Sequence, residues 1–578
     1  MSKEGDTKTS FHGGDALVMA LHAEEVEYVF GVPGGEFLAF LEAMDRWGTP
    51  HGMKYINCHH EQGAAHMADG YARSSGKIGV CCGTVGPGLL DLIPGIGPAW
   101  ADNIPILVIH PQQGPKFADY NRLQGGLDQI GLLKPLTKYQ KSESDPNRII
   151  KATQKCFKEL TTGRPQPVQL EIMEDAFWAQ VEEYGQEVRK PREYRAVYPP
   201  QANAQSIKTA VKILSSAKNP LIVAGGGVLS SHAESTLQEF SLGWNIPCIT
   251  TVMGIGSMSL LHETYIGASF NQSACIKAAQ EADVILALGT KFSFTLGYGK
   301  APLWNPEGKV IQVDLDPLMI GKNRLVEIGI IGDIGEVLHQ LKSELTKQDI
   351  SPFDTTSWIS QLLAAREEGK NMMKNRMNSD KIPIHPDRVI AEVYKFLNPE
   401  DILVVDGGDT AVLTLAQVDY HTSRQPRTYL QSIGSGHLGI NIPYMIGAKL
   451  AHPDRKVFGI TGDGAFLFNV QELNTAVRYN LPFVLVVIDN CSWGMIENVS
   501  IRKFGKNRGS YFCDLPSDCA KIAEGFGCYA ERVEDPEQLR NSLDRAFNSN
   551  KPAVIVVPTK KVAPTGTKLM AGFNELKF

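Results

Sequence analysis

No stretch of this chain holds the roughly 18 consecutive apolar residues that a membrane-spanning helix needs, so nothing is expected to cross a bilayer. Met1 to Ser10 are polar and lack the apolar core of a signal peptide, which makes the cytoplasm the expected compartment. Cysteines at CxxC spacing are missing as well. The 10 cysteines are scattered without CxxC spacing, so buried free thiols are expected rather than zinc sites or disulfides. There is no lysine- or arginine-rich block, and a formal net charge of −6 gives no electrostatic case for nucleic acid. Short-period repeats and low-complexity tracts are also absent. What remains is a folded globular chain, 43% hydrophobic and 21% charged, whose 578 residues exceed what one core supports. Three domains of ordinary size are the natural partition.

Apolar strand-like runs alternate with helical patterns along most of this length. In the N-terminal part the runs are residues 28–32, 77–82, 104–109 and 168–172; later ones are 221–224, 284–288, 310–313 and 402–405. Such alternation predicts an α/β protein of three doubly wound parallel-sheet domains, over residues 8–185, 200–345 and 380–565. The charged, proline-containing stretch 185–200 reads as a linker, and a polar, helical, low-aliphatic stretch, 346–386, separates the second domain from the third.

The most informative segment runs from Gly462-Asp463-Gly464 to Asp489-Asn490. It reads as a strand, a glycine turn, a helix and a second strand, so Asp463 and Asn490 emerge at the same edge of a parallel sheet. Mg²⁺ takes oxygen ligands, uses one or two protein carboxylates and leaves its other positions to phosphates and water. Asp463, the Asn490 amide oxygen and a nearby backbone carbonyl suit a diphosphate-bridging site of that kind. Gly464 and Ala465 open the following helix, whose N–H groups and positive dipole end favour phosphate. A bare Gly-Asp-Gly is an ordinary strand-to-helix turn; the whole segment predicts a diphosphate cofactor.

The spacing from Gly462 to Asn490, with Gln471-Glu472-Leu473 between them and Leu481-Pro482 before the second strand, resembles the signature of thiamine-diphosphate enzymes, specifically the acetolactate synthase-like group. Matching motifs span nearly the whole chain and imply pyrimidine-binding, central and diphosphate-binding domains. The resemblance places Mg²⁺ on Asp463, Asn490 and the main-chain oxygen of Ser492. His60 to Arg73 matches the helix that carries the family's activating carboxylate, which makes Glu61 the acid hydrogen-bonded to the aminopyrimidine ring. Most glutamates lie on solvated helix faces, but Glu61 follows a strand-like run and precedes small residues, a setting that buries it and keeps it more easily protonated. His66 is read as packing, while His59 stays open between a substrate contact and a structural side chain.

Gly434 to Pro443 resembles the loop that bends the cofactor, with Leu438 as the steric wedge and the Gly436 carbonyl as acceptor for the amino group. Thr84 and Gly86 belong to the glycine loop beside the pyrimidine. Asp409 and Thr410 carry over as diphosphate contacts, although Asp409 is an acid where relatives carry amide or imidazole groups. Trp493, Gly494 and Met495 carry over as cofactor contacts, and Gln113, Gln124 and Val499 as substrate contacts.

The implied reaction is decarboxylation of a 2-oxo acid such as pyruvate and ligation of the two-carbon unit to a second carbonyl acceptor. The alternative is a 2-oxo acid decarboxylase, or an acyloin or 2-hydroxyacyl lyase, on the same scaffold. Two departures keep both open. Val499 offers no aromatic wall where the branched-chain biosynthetic enzyme has one, and residues 265–279 contain no arginine to clamp an acceptor carboxylate. Lys277 is no equivalent, because a point charge does not replace a planar bidentate fork. The resemblance also allows FAD in the middle domain, for which Gly225-Gly226-Gly227 is weak support. It implies a homodimer at minimum, a homotetramer being common, with Glu61 and Asp463 of one site supplied by different chains.

Overall fold

The computed structural model describes residues 11–117, 120, 122–268, 272–506 and 517–563. The chain divides into two compact units, the boundary falling between Val197 and Tyr198. One sheet lies in the first unit and two in the second.

The first sheet contains β1 (Tyr28–Gly31), β2 (Lys54–Asn57), β3 (Gly79–Cys82), β4 (Ile106–Gln112), β5 (Tyr139–Glu143) and β6 (Val168–Met173), in the order β2-β1-β3-β4-β6-β5. The central sheet contains β7 (Pro220–Ala224), β8 (Cys248–Thr250), β9 (Tyr265–Ala268), β10 (Val284–Leu288), β11 (Lys309–Asp314) and β12 (Ile328–Ile331), in the order β12-β11-β10-β7-β8-β9. The third contains β13 (Ile402–Val405), β14 (Tyr429–Leu430), β15 (Val457–Gly462), β16 (Phe483–Asp489), β17 (Tyr529–Arg532) and β18 (Pro552–Pro558), in the order β14-β13-β15-β16-β18-β17. Pairing is parallel throughout these sheets. The three α/β domains expected from the alternation of patterns are therefore present.

The first and third sheets share one strand permutation. In each, the chain moves outward from its first strand, then returns to the other side of it, leaving a crevice at the carboxyl ends of the strands where the winding reverses. That crevice lies between β1 and β3 in the first sheet and between β13 and β15 in the third. Strands buried on both faces read as continuous apolar runs, and β16 is buried at every position. Helices supply the covering layers, as where Ile150, Phe157 and Leu160 of the helix Ile149–Thr161 enter the first core with β4 and β6.

The polar stretch between the second and third sheets contains a 22-residue helix, Thr356–Met377. Its Trp358, Ile359 and Leu362 join the core of the central sheet, and Met373 and Met377 pack with Ala391 and Tyr420. The helix expected in this stretch is therefore present, with its few apolar positions divided between two neighbours. Nine cysteines are free and, apart from half-buried Cys491, buried; Cys513 lies outside the described residues.

Candidate active site

The third sheet assembles the residues expected at the diphosphate. Asp463 follows β15 directly and opens a four-residue helix, Asp463–Phe466, so the helix begins one residue before Gly464. Its Oδ1 accepts from the Gly464 N–H at 2.9 Å, and its Oδ2 accepts from the Ser492 N–H at 3.2 Å. Asn490 follows β16, the neighbouring strand, and the left-handed Cys491 (φ 50°) turns the chain back so that Ser492 reaches Asp463. The Asn490 Oδ1 is buried and has no hydrogen-bond partner. A buried acceptor left that way is costly unless something else occupies it, and a hard cation held by oxygen atoms meets that need. The Ser492 carbonyl accepts from the Gly494 N–H at 2.8 Å and keeps a second lone pair. These oxygens fit Mg²⁺.

Asp489, unnoticed in the sequence as a site residue, closes the other side. Asp463, Asp489 and Cys491 each present a ligand atom within 4.8 Å of the others. Burial first, and then the Asp489 charge, push the Asp463 carboxyl up to about 6. Asp489 in turn accepts from the Cys491 N–H at 3.2 Å and lies 3.4 Å from the Arg532 guanidinium. The Cys491 thiol is a soft donor that Mg²⁺ does not seek. Trp493 caps the helix Gly494–Phe504, in which Met495 and Val499 stand four residues apart on one face. A Cβ on Gly464 would come within 2.8 Å of the Trp493 ring, so glycine is needed for that approach.

Asp409 and Thr410 open the helix Asp409–Gln417 behind a left-handed Gly408 (φ 74°). Thr410 is buried, and its Oγ1 would lie 3.5 Å from a Cβ on Gly462. Ala465 is buried in the short helix Asp463–Phe466. Leu438 is half-buried, and a Cβ on Gly407 would meet its Cδ2 at 2.7 Å, which places the wedge candidate over the carboxyl end of β13. Gly436 is exposed with φ 63°, a conformation favouring glycine.

In the first unit Glu61 opens the helix Glu61–Ser75 just after β2. It is only 8% exposed, and burial raises its carboxyl above the usual range. A Cβ on Gly88 would come within 3.0 Å of Glu61 Oε1 and 3.1 Å of Thr84 Cγ2, so Glu61 and Thr84 flank the same glycine. The Thr84 hydroxyl donates to Glu36 Oε2 at 2.5 Å across the β1–β3 crevice. Gly86 has φ 71°, and its N–H donates to the side chain of Gln129 at 2.9 Å.

Sequence reasoning missed both Glu36 and Gln129. The first is a single acid in a glycine loop, and the second is one glutamine among several. Gln113 donates to the Leu123 carbonyl at 3.0 Å and thereby props the loop containing exposed Gln124, whose own carbonyl packs against Gly86. His66 is fully buried in the Glu61 helix, as packing requires. In the central domain, Cβ atoms on Gly225 and Gly227 would stand 2.2 Å and 2.7 Å from Gly289 atoms. Close packing thus accounts for two of the three glycines, and the triplet carries no argument for a flavin.

Fold and site together define a thiamine-dependent enzyme. The N-terminal TPP binding domain of the thiamine pyrophosphate enzymes matches residues 11–132, their central domain residues 207–341 and their C-terminal TPP binding domain residues 406–557. A probable acetolactate synthase large subunit of Methanococcus aeolicus is 33% identical over 583 residues, covering 96% of this chain and 94% of the relative. The acetolactate synthase large subunit of Haemophilus influenzae is 32% identical over 94% of this chain and 93% of its own length. An acetolactate synthase isozyme 3 large subunit of Escherichia coli is 29% identical over 93% and 92%. The chain belongs to the thiamine-diphosphate-dependent enzymes, in their acetolactate synthase-like, carboligase-type group.

Proposed function

We propose that this enzyme decarboxylates a 2-oxo acid such as pyruvate and joins the resulting two-carbon unit to a second carbonyl acceptor, using thiamine diphosphate held through Mg²⁺. The observation that carries the cofactor reading is the buried, unpartnered Asn490 Oδ1 on the strand next to Asp463, with Ser492 folded back onto that carboxylate. Asp463, Asn490 and the Ser492 carbonyl hold the cation, while Gly464 and Ala465 at the adjacent helix start and Thr410 face the diphosphate. Leu438 would prop the cofactor, the Gly436 carbonyl would accept from its amino group, and Trp493, Gly494 and Met495 would wall the diphosphate end. Glu61, whose burial favours the protonated form, shares a proton with a ring nitrogen of the pyrimidine beside Thr84 and Gly86. When bound, the cofactor would supply a carbon nucleophile and an electron sink for decarboxylation. Val499 and the loop of Gln113 and Gln124 border the acceptor.

The site is completed by a second copy of the chain, so the working enzyme is at least a homodimer and in this reading a homotetramer. Phe468, Ile496 and Phe504 near the diphosphate end are 49, 54 and 58% exposed in the single chain, apolar surface that an interface would cover. Domains over residues 8–185, 200–345 and 380–565 and a cytoplasmic location belong to the same reading. Incubation with pyruvate, thiamine diphosphate and Mg²⁺ tests it: 2-acetolactate is the expected product. Acetaldehyde alone would replace carboligation by simple decarboxylation, and no CO₂ release from any 2-oxo acid of a broad panel would overturn the reading.

A further inference from the structure

The loop that carries Leu438 is gripped from two sides by buried polar groups. Asp406, fully buried immediately after β13, accepts from the Gly439 N–H at 3.0 Å. Asn469, 1% exposed, donates through Nδ2 to the Gly439 carbonyl at 2.7 Å. Both hydrogen-bonding groups of one residue are thus taken by side chains that come from opposite directions in the chain. Gly439 sits at φ 76°, and a Cβ there would stand 2.2 Å from Phe468 Cβ, so the backbone has no room to slide toward that side. Leu438 meets Gly407 behind it, as the 2.7 Å approach to a Cβ there shows.

The grip continues into the sheet. Asp406 also accepts from the Thr461 hydroxyl at 3.1 Å, and Thr461 lies on β15 two residues before Asp463. One carboxylate therefore joins the Leu438 loop, the end of β13 and the strand carrying the metal-binding acid, across the crevice where the winding of the sheet reverses. Asn441, just past the loop, donates to the Val404 and Ile460 carbonyls at 3.1 and 2.9 Å, and so pins the next helix between β13 and β15.

We propose that Asp406 and Asn469 are positioning residues of the cofactor site, clamping the Gly439 peptide so that Leu438 works as a rigid wedge in fixed register with Asp463. The inference rests on the thiamine-diphosphate reading above. A steric pillar that yields when the cofactor presses on it cannot hold the bent shape, so its stiffness has to come from the backbone that bears it. Neither residue touches the cofactor in this account.

Asn469→Asp is the decisive variant, because it keeps the side-chain size but replaces the donor by an acceptor facing the Gly439 carbonyl. With Mg²⁺ present, thiamine diphosphate affinity is expected to stay within about threefold of wild type, while deuterium exchange at the cofactor C2 under saturation falls at least about tenfold. In the cofactor-free protein, backbone hydrogen exchange of the peptide spanning Leu438 and Gly439 should accelerate by a similar factor. Leu438→Ala should cost less exchange in the Asn469→Asp background than alone, since the clamp acts through the wedge. Asp406→Asn keeps an acceptor oxygen for Gly439 and should fall between wild type and Asn469→Asp. Should Asn469→Asp fail to fold, Asn469→Ala is measured in its place, with the same outcomes. An unchanged saturated C2 exchange rate, or full additivity with Leu438→Ala, overturns the clamp alone. Wild-type protein that retains no thiamine diphosphate overturns the functional reading and the clamp with it.

Discussion

Asp409 Oδ2 accepts a hydrogen bond from the Asn498 side chain at 2.9 Å, and the same amide donates to the Val562 carbonyl at 3.0 Å. The acid that looks out of place beside a diphosphate thus anchors the helix Gly494–Phe504 to the start of the helix Asp409–Gln417. Gly494 fits between them, a Cβ there coming within 2.9 Å of Asp409 Oδ2 and 3.0 Å of the Asn490 amide nitrogen. Hydrogen bonds to a charged group contribute about 1.5–3 kcal/mol. Asn498→Ala is therefore expected to weaken thiamine diphosphate binding by about tenfold or more, whereas Asp409→Asn, which removes a negative charge near phosphate, should leave it equal or tighter. Tryptophan-fluorescence titrations at fixed Mg²⁺ read both; a tighter-binding Asn498→Ala would contradict the anchoring role.

Glu61→Gln is expected to leave Mg²⁺-dependent cofactor binding nearly intact and to lower C2 deuterium exchange by about a hundredfold or more, the range of general acid–base contributions. Exchange at the wild-type rate, followed by NMR, would remove Glu61 from its role.

Gly88→Ala tests the same end from the neighbouring helix, Pro87–Asp102. The added methyl group would stand 3.0 Å from Glu61 Oε1 and 3.0 Å from the backbone carbon of Gly83, so the carboxyl, the more yielding neighbour, moves. C2 exchange should fall about tenfold with secondary structure, read by circular dichroism, unchanged. A crystal structure of the variant with Glu61 undisplaced would count against it.

Asp463→Ala removes a proposed metal ligand. Changes to groups that merely support ligands typically cost 10- to 100-fold, so cofactor retention at limiting Mg²⁺ should drop by at least about a hundredfold, with partial recovery at high Mg²⁺. Equilibrium dialysis of thiamine diphosphate decides it, and undiminished retention is the contrary result.

The same carboxylate gives a pH dependence. Burial and Asp489 raise Asp463 from 3.8 to about 6 in the metal-free protein, and the cation binds the ionised form. Above pH 6 that form predominates; below it a proton competes. Apparent affinity for the cofactor with Mg²⁺ should fall by about tenfold per pH unit below 6 and stay nearly flat from pH 7 to 8. Asp463→Asn should lose that slope, which calorimetric titration at pH 5, 6 and 7 would reveal.

Much of the proposed site is legible in the chain because its geometry is local. Asp463 and Asn490 each directly follow a strand, and strands that pair in parallel expose their following residues along one edge, so spacing alone brings these two together. Glu61 is readable for the same reason, as the first residue of a helix after a strand. Other contacts leave no local trace. Asp406 and Gly439 are separated by 33 positions and Asp409 and Asn498 by 89, and nothing in the intervening residues signals that they meet. The helix Thr356–Met377 is readable as helical, but its partners are not: it buries two short apolar patches against different neighbours instead of one continuous stripe.

The amino-acid order by itself determined the three α/β domains, the glycine turns and the chemical types of the groups proposed to bind the cation and share the proton, since hydrophobic periodicity and short-range geometry act within a few residues. Tertiary structure decided which acids stand together and which backbone groups are held. Asp489 beside Asp463, Glu36 on Thr84 and the two-sided hold on Gly439 arise only when strands distant in sequence become neighbours, and burial then makes every unpaired polar atom costly enough to fix its partner.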